Sequence, residues 1–366
     1  MRWPRLLAFV AAAACAVALA ACNSAPPAPV VVRETPSALG PKAKDALRIH
    51  VIDVDSGNCV LIECPESNTS GPHALLNDCG SNRAKTVGAR VAAYVRGVLA
   101  GYGPRSVDIL VSHPDADHYN LITSLFAGDE GIVGEVAVSG VLADYKLTHF
   151  PEFAARHPAF ATLAPTQTTR LRPCGALTPV VLVADLPGRP NRRSAVLWLD
   201  YGEFLVLDPG DAQGKTETQA LDNQAAADLA PDEEPLAGTL LLASHHGAAT
   251  ARSNSQNWIA NVKPSLVLVS AGDPRSYGHP RCAVVERYLA AIPKEAAKHY
   301  LACPESKRDW NHTIATTGNI FSTHDCGDLV VTYTPSDDPP VALKFDGSCD
   351  VPTETGRPAI PTVSGS

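Results

Sequence analysis

The chain has no Cys-x-x-Cys pair, no His-Glu-x-x-His stretch, no glycine-rich phosphate loop and no Gly-x-Ser-x-Gly elbow. Those absences remove thiolate zinc ribbons, zincin helices, P-loop nucleotide sites and serine hydrolases of the elbow type. Positive charge is scarce as well. Thirty Lys and Arg face 38 Asp and Glu, a formal net charge of −8, which excludes a protein whose whole surface clings to nucleic acid or anionic lipid. A local basic strip is still compatible with that balance. Charged residues make up only 19% against 45% hydrophobic, so the 366 residues can fill a large core and wholesale disorder is excluded.

A membrane-spanning run is also lacking. The apolar stretch Leu6 to Ala21 follows Arg2 and Arg5 and falls short of the about 20 residues a spanning helix needs. It ends in Leu19-Ala20-Ala21-Cys22, a secretory signal with small residues before the cleavage point. The ending resembles the bacterial lipobox, which implies cleavage before Cys22 and lipidation of its thiol. Asn23 at the next position implies outer-membrane sorting, with the protein facing the periplasm. The expected organisation is a signal peptide over 1–21, a Pro/Ala-rich tether over 22–44, one folded domain over 45–349 and a flexible tail over 350–366.

Setting aside Cys15 and Cys22 leaves Cys59, Cys64, Cys79, Cys174, Cys282, Cys303, Cys326 and Cys349. An even set in an exported chain predicts up to four disulfides, with the pairing left open.

Within the folded region β-rich runs alternate with helical ones. Arg48 to Asp53 and Cys59 to Glu63 read as strands about the turn Asp55-Ser56-Gly57-Asn58, with a further strand at Ala74 to Asn77. Val87, Val91, Val95 and Val98 space a helix over Thr86 to Leu99. Val107 to Val111 is a buried-type strand. Ser194 to Leu199, Glu203 to Leu207, Thr239 to Ala243, Leu266 to Val269 and Leu329 to Tyr333 are further strands, and Cys282 to Ile292 a helix. Tyr145 to Pro173 and Ala212 to Ala237 read as irregular, lid loops or solvated surface. The alternation suits layered α/β architecture.

The chemistry concentrates at strand ends. His113-Pro114-Asp115-Ala116-Asp117-His118 follows the strand Val107 to Val111 and sets four candidate metal ligands in six residues. Imidazole and carboxylate together suit Zn, Mn or Fe. A surface turn with one Asp capping a helix near Tyr119 explains only one of the four. Asp208-Pro209-Gly210-Asp211, His245-His246-Gly247 and Tyr277-Gly278-His279-Pro280 close other strands, so four separate strand ends deliver His or Asp.

Ser112 to Asn120 resembles the metallo-β-lactamase signature His-x-His-x-Asp-His, with Asp115 in place of the second His. Together with His50 to Val54, Leu76 to Gly80, Asn191 to Ala212, His245 to Gly247 and Tyr277 to Pro280, the order over about 48–335 is similar to the metallo-β-lactamase domain of ComEC-type competence proteins. The resemblance implies an αββα sandwich, two mixed β-sheets packed face to face with helices outside. It implies one or two divalent ions, Zn or Mn. His113 and Asp115 would hold the first, Asp117, His118 and His245 the second, and Asp211 would bridge them. Asp78 would stand behind the ligands, His246 and His279 would meet the substrate's anionic group, and Asp117 and His279 would serve catalysis by orienting water and protonating or neutralising the leaving side. Three departures stand out. Asp55-Ser56-Gly57-Asn58 replaces Gly-Gln-Gly-Asp, Tyr119 and Asn120 replace glycines, and the isolated histidine of the first metal site has no counterpart beyond His149 and His157. The expected activity is hydrolysis of a phosphodiester, in a small molecule or a nucleic acid. The alternatives are lactone, β-lactam or thioester hydrolysis, or a non-catalytic envelope binding module. The membrane is the expected partner, through Cys22.

Overall fold

The computed structural model describes residues 30–33, 39–67, 71–157, 159–163, 167–229, 238–306, 312–345 and 349. The expected signal sequence, lipobox and C-terminal tail lie outside them. Among the described residues no helix is long and apolar enough to cross a membrane.

Two mixed sheets dominate. The nine-stranded sheet runs, edge to edge, Val30–Arg33, Val341–Phe345, Leu329–Tyr333, Leu47–Val51, Cys59–Glu63, Ala74–Cys79, Val107–Val111, Val133–Ser139 and Ala159–Leu163. The seven-stranded sheet runs Ile320–Ser322, Leu266–Val269, Gly238–Leu242, Phe204–Asp208, Leu197–Tyr201, Val180–Val181 and Thr169–Arg170.

Side-chain alternation shows how the layers stack. Along Cys59–Glu63, Val60 and Ile62 point into one apolar cluster while Cys59 and Leu61 point into another. Leu240 and Leu242 join Val60 and Ile62 in that shared cluster, whereas Leu241 faces the opposite way. The period of two thus sorts each strand between an inter-sheet core and an outer face. Val91 and Val95 of the helix Ala84–Val98 cover the outer face of the first sheet. Trp258 and Ile259 of Gln256–Val262, with Val284, Val285 and Tyr288 of Cys282–Leu289, cover that of the second. Helix, sheet, sheet, helix is the expected architecture.

Pairing direction places the site. Ala74–Cys79, Val107–Val111 and Val133–Ser139 are parallel neighbours, as are Phe204–Asp208, Gly238–Leu242 and Leu266–Val269. Parallel strands end at one edge, so the loops after them converge there. Asn77 Nδ2 donates to Asp208 Oδ2 at 2.7 Å across the two sheets just below that edge.

Several sequence expectations need correction. Val30–Arg33, inside the stretch read as a tether, pairs in parallel with Val341–Phe345; three successive valines suit an edge strand better than a spacer. Tyr145 to Pro173 is not wholly irregular, since it holds the helix Phe150–Arg156 and the strand Ala159–Leu163, with Phe150 and Phe153 buried. Ala212 to Ala237 begins with the helix Gly214–Ala226. Its buried Glu217 accepts the backbone N–H groups of Asn254 and Ser255 at 2.6 and 3.0 Å. That acid ties the helix to the loop beyond the two histidines.

All eight cysteines pair, as Cys59–Cys79, Cys64–Cys174, Cys282–Cys303 and Cys326–Cys349. Four disulfides fit an exported chain.

Candidate metal centre

The site is built around Asp211, which is 4% exposed. The strand Phe204–Asp208 ends in Pro209 and Gly210, and Gly210 takes a left-handed φ of 51°. An ideal Cβ there would lie 2.8 Å from Ser112 Oγ, so only glycine lets the two loops approach this closely. Ser194 Oγ accepts the Asp211 N–H at 3.1 Å.

The two carboxylate oxygens of Asp211 face different neighbours. Oδ1 lies 3.1 Å from His118 Nε2 and 3.3 Å from His246 Nε2. Oδ2 lies 2.8 Å from Asn191 Nδ2, 3.5 Å from His245 Nε2 and 3.8 Å from His113 Nε2. Asp115 adds a carboxylate oxygen 3.5 Å from His113 Nε2. Asp117, His118 and His246 offer ligand atoms within 4.8 Å of one another, and so do His113, His118 and Asp211. Asn82 holds one oxygen of Asp117 through its amide at 2.8 Å.

Partners on the far side of each ring set which nitrogen carries the lone pair. His246 Nδ1 meets the Ser270 carbonyl at 2.8 Å, an oxygen that only accepts, so Nδ1 carries the proton. Ser112 Oγ donates to Asp78 Oδ2 at 2.7 Å and accepts from His113 Nδ1 at 3.0 Å. His118 Nδ1 donates to the same Asp78 oxygen at 2.7 Å. Carboxylate or carbonyl support of the distal nitrogen is how metal-ligating histidines are oriented. Here it aims three Nε2 atoms at Asp211.

Those atoms fit a cation. His113 Nε2, His118 Nε2, His246 Nε2 and Asp211 Oδ1 are buried, and none has a hydrogen-bond partner. Such groups are costly to bury unless something else engages them. Imidazoles and carboxylates together make a donor set for a divalent metal ion.

Electrostatics agree. Burial would raise the Asp211 carboxyl, but His246, His245 and His118 around it hold it well below the ordinary range. Burial would lower His118, yet Asp211 and Asp78 lift it well above its ordinary value. An ion binding there takes the place of that proton. His279 is lowered to about 3 by burial, reinforced by His246, His245 and Arg281. That favours its neutral form.

The structure brings His113, Asp115, Asp117, His118, Asp211, His245 and His246 together and sets Asp78 behind them. Its division differs from the expected one. His246 lies with Asp117 and His118, whereas His245 lies on the Oδ2 side with His113. His245 and His246 both adopt left-handed backbone, at φ 52° and 55°, and their Nε2 atoms face Oδ2 and Oδ1 of Asp211 respectively. His279 lines the cavity beside them, while His149 and His157 do not. His149 lies on the surface beside Glu152, and His157 packs on Phe153.

The departures from the resembling motif have structural substitutes. Tyr119 fills its position with a buried ring against Tyr145 and Phe150. Asn120 clasps Ser81, accepting its N–H at 2.9 Å and donating to its carbonyl at 2.8 Å. Asn58 donates to Asp78 at 3.2 Å. Ser112 and Asn191 carried no role in the sequence reading, although each opens one of its motif stretches.

A cavity of about 420 Å³ opens over the cluster, and its rim includes Ser56, Asn82, Asp273 and Tyr277. Tyr277 is half exposed.

No family model matches the chain, and no curated protein matches it. Among solved structures, it is similar to the metallo-β-lactamase fold protein YhfI from Bacillus subtilis, at 12% identity and a TM-score of 0.41, over 74% of this chain and 99% of that one. A diphosphatase of the PhnP family matches at 10% identity and a TM-score of 0.38, over 74% of this chain and 98% of that one. The metallo-β-lactamase MIM-1 from Novosphingobium pentaromativorans matches at 16% identity and a TM-score of 0.31, over 53% of this chain and 75% of that one.

Proposed function

We propose that the chain is a metal-dependent hydrolase of the bacterial cell envelope that cleaves phosphodiester bonds in nucleic acid or a nucleotide. One observation carries the metal reading: both oxygens of a single buried carboxylate face their own imidazoles, and most of those nitrogens have no other partner. One or two divalent ions, Mn or Zn, would be held by His113, Asp115, His245 and Asp211 on one side and by Asp117, His118, His246 and Asp211 on the other. A divalent ion bound there supplies Lewis acidity, lowering the pKa of its water to about 7 and offsetting charge on a phosphoryl oxygen.

The protein's own groups do the rest. Asp117, steadied by Asn82, orients the attacking water and takes its proton. Neutral His279 contributes a hydrogen bond at the cavity wall. The amide of Asn82 at the rim offers a neutral donor to a phosphoryl oxygen. Tyr277, half exposed over the cavity, offers a face on which a base or an aromatic leaving group can stack. Oxygen ligands at Asp115, Asp117 and Asp211 harden the centre relative to one of imidazoles alone, which suits phosphoryl transfer with Mn. The resemblance of the motif order to that of ComEC-type domains supports a phosphodiester substrate. The four disulfides support an oxidising compartment, and Cys22 is the proposed lipid anchor.

The test is direct. Metal content of the purified chain is measured, and a chromogenic phosphodiester and a chromogenic cephalosporin are assayed with added Mn or Zn. Diesterase activity that disappears in Asp117→Ala and His118→Ala supports the proposal. Cephalosporin turnover without diesterase activity replaces it with acyl hydrolysis, and a folded chain with neither metal nor activity replaces it with a binding module.

A further inference from the structure

Asn191 lies in the 3-10 turn Pro190–Arg193, ahead of the strand Leu197–Tyr201. Its surroundings are rigid. Thr216 Oγ1 donates to the Arg192 carbonyl at 2.8 Å, and Arg193 is clamped at 2.6 Å by each of Asp144 and Asp185. From this fixed backbone the side chain reaches Asp211 Oδ2 at 2.8 Å and His245 Nε2 at 3.2 Å, and it lines the cavity. It therefore lies between two atoms of the proposed first-ion set.

We infer that Asn191 is an oxygen ligand of the first ion. The amide lies 2.8 Å from Asp211 Oδ2 and 3.2 Å from His245 Nε2, close enough that all three residues would be able to hold one cation. Without a cation the NH2 group donates to both Asp211 and His245, two acceptors that need a positive partner. With a cation among them that group would face like charge. A half-turn about χ2 puts Oδ1 in its place without moving the backbone, because the two ends of the amide have the same shape. The resulting set is two imidazoles, from His113 and His245, and three oxygens, from Asp115, Asp211 and Asn191. An oxygen-rich set of this kind prefers Mn to Zn relative to a site of three imidazoles.

This inference rests on the metal reading above, and the experiment separates their failures. The purified full-length exported chain is stripped with chelator and titrated with Mn²⁺ and with Zn²⁺ by calorimetry, and bound metal is counted by elemental analysis. Asn191→Ala, Asn191→Ser, Asn191→Asp and Asn191→His are compared, with circular dichroism to show that each is folded. The expected result is two ions in the parent. Asn191→Ala and Asn191→Ser weaken one ion about tenfold or more and spare the other, Asn191→Asp keeps both, and Asn191→His shifts the weaker ion's preference toward Zn. Two ions bound with parental affinities in both Asn191→Ala and Asn191→Ser would overturn the inference and leave the metal reading standing. Equal weakening of both ions would also overturn it, because Asn191 would then only position Asp211. A parent that binds no metal overturns both.

Discussion

Oδ2 of Asp78 lies 2.7 Å from Nδ1 of His118, and both side chains are fully buried. That contact fixes the ring's tautomer and aims Nε2 at Asp211. Asp78 itself never reaches the cavity. It is held by the Ser112 N–H and hydroxyl, both at 2.7 Å, on a left-handed backbone with φ 57°. Asp78→Asn tolerates that φ but loses the charge and can donate to Nδ1, which selects the wrong tautomer. Metal affinity is expected to fall about 10–100-fold with every ligand intact. Competition against a chelator measures it, and an unchanged affinity refutes the relay.

Gly80 is packed against the backbone of the ligand loop. An ideal Cβ there would meet the Asp117 carbonyl carbon at 2.5 Å, Tyr119 N at 2.5 Å and His118 N at 2.6 Å. These are main-chain atoms that cannot swing aside. Gly80→Ala is expected to cost about 1–3 kcal/mol through overpacking and to displace Asp117 and His118 together. Urea denaturation and metal content should both change, and a variant with parental metal binding would show that the loop gives way easily.

The disulfides differ in the loops they close. Cys64–Cys174 spans 110 residues of sequence and Cys59–Cys79 spans 20. Chain entropy makes the longer closure worth about 1.5 kcal/mol more. Replacing each pair with alanines and comparing urea midpoints tests this ordering, and equal losses would mean that packing outweighs loop closure.

Far from the cavity, His50 is buried with Nε2 2.9 Å from Glu63 and Nδ1 2.8 Å from the Tyr94 hydroxyl. Arg48 and Tyr102 also reach Glu63, at 3.3 and 3.1 Å. Burial lowers His50 below its ordinary 6.5, against the pull of Glu63. A group lowered on folding binds its proton more readily in the unfolded chain, so stability is full above 6.5 and is lost as pH falls below it. Glu63 adds to the same trend. Burial works against it, but His50 and Arg48 hold it below its ordinary 4.5, so its contribution fades as pH falls from 4.5. His50→Gln is expected to flatten the slope of stability between pH 6.5 and 5. Parallel slopes for parent and variant in urea titrations would refute this.

Much of the architecture was legible in local pattern. The apolar run Cys59 to Ile62 and the strands at Leu266–Val269 and Leu329–Tyr333 fall where the sequence predicted them. Helix Phe150–Arg156 was hidden because its apolar residues lie between prolines and threonines, and helix Gly214–Ala226 because it buries few of its own residues. The strand Val133–Ser139 gave no alternation, being buried on nearly its whole length.

By itself, the order of residues determined which side chains stand at strand ends, because a buried β-branched run followed by Pro, Gly or Asp can only end in a turn. It thereby named His113, Asp115, Asp117, His118, Asp211, His245, His246 and His279 as candidates. Only the tertiary structure decided how they divide. His245 and His246 face different oxygens of Asp211, a division that adjacent identical residues do not encode in sequence. It also decided that Asn191, 20 residues before Asp211 in sequence, meets that carboxylate at 2.8 Å, because antiparallel pairing folds one strand back on the next.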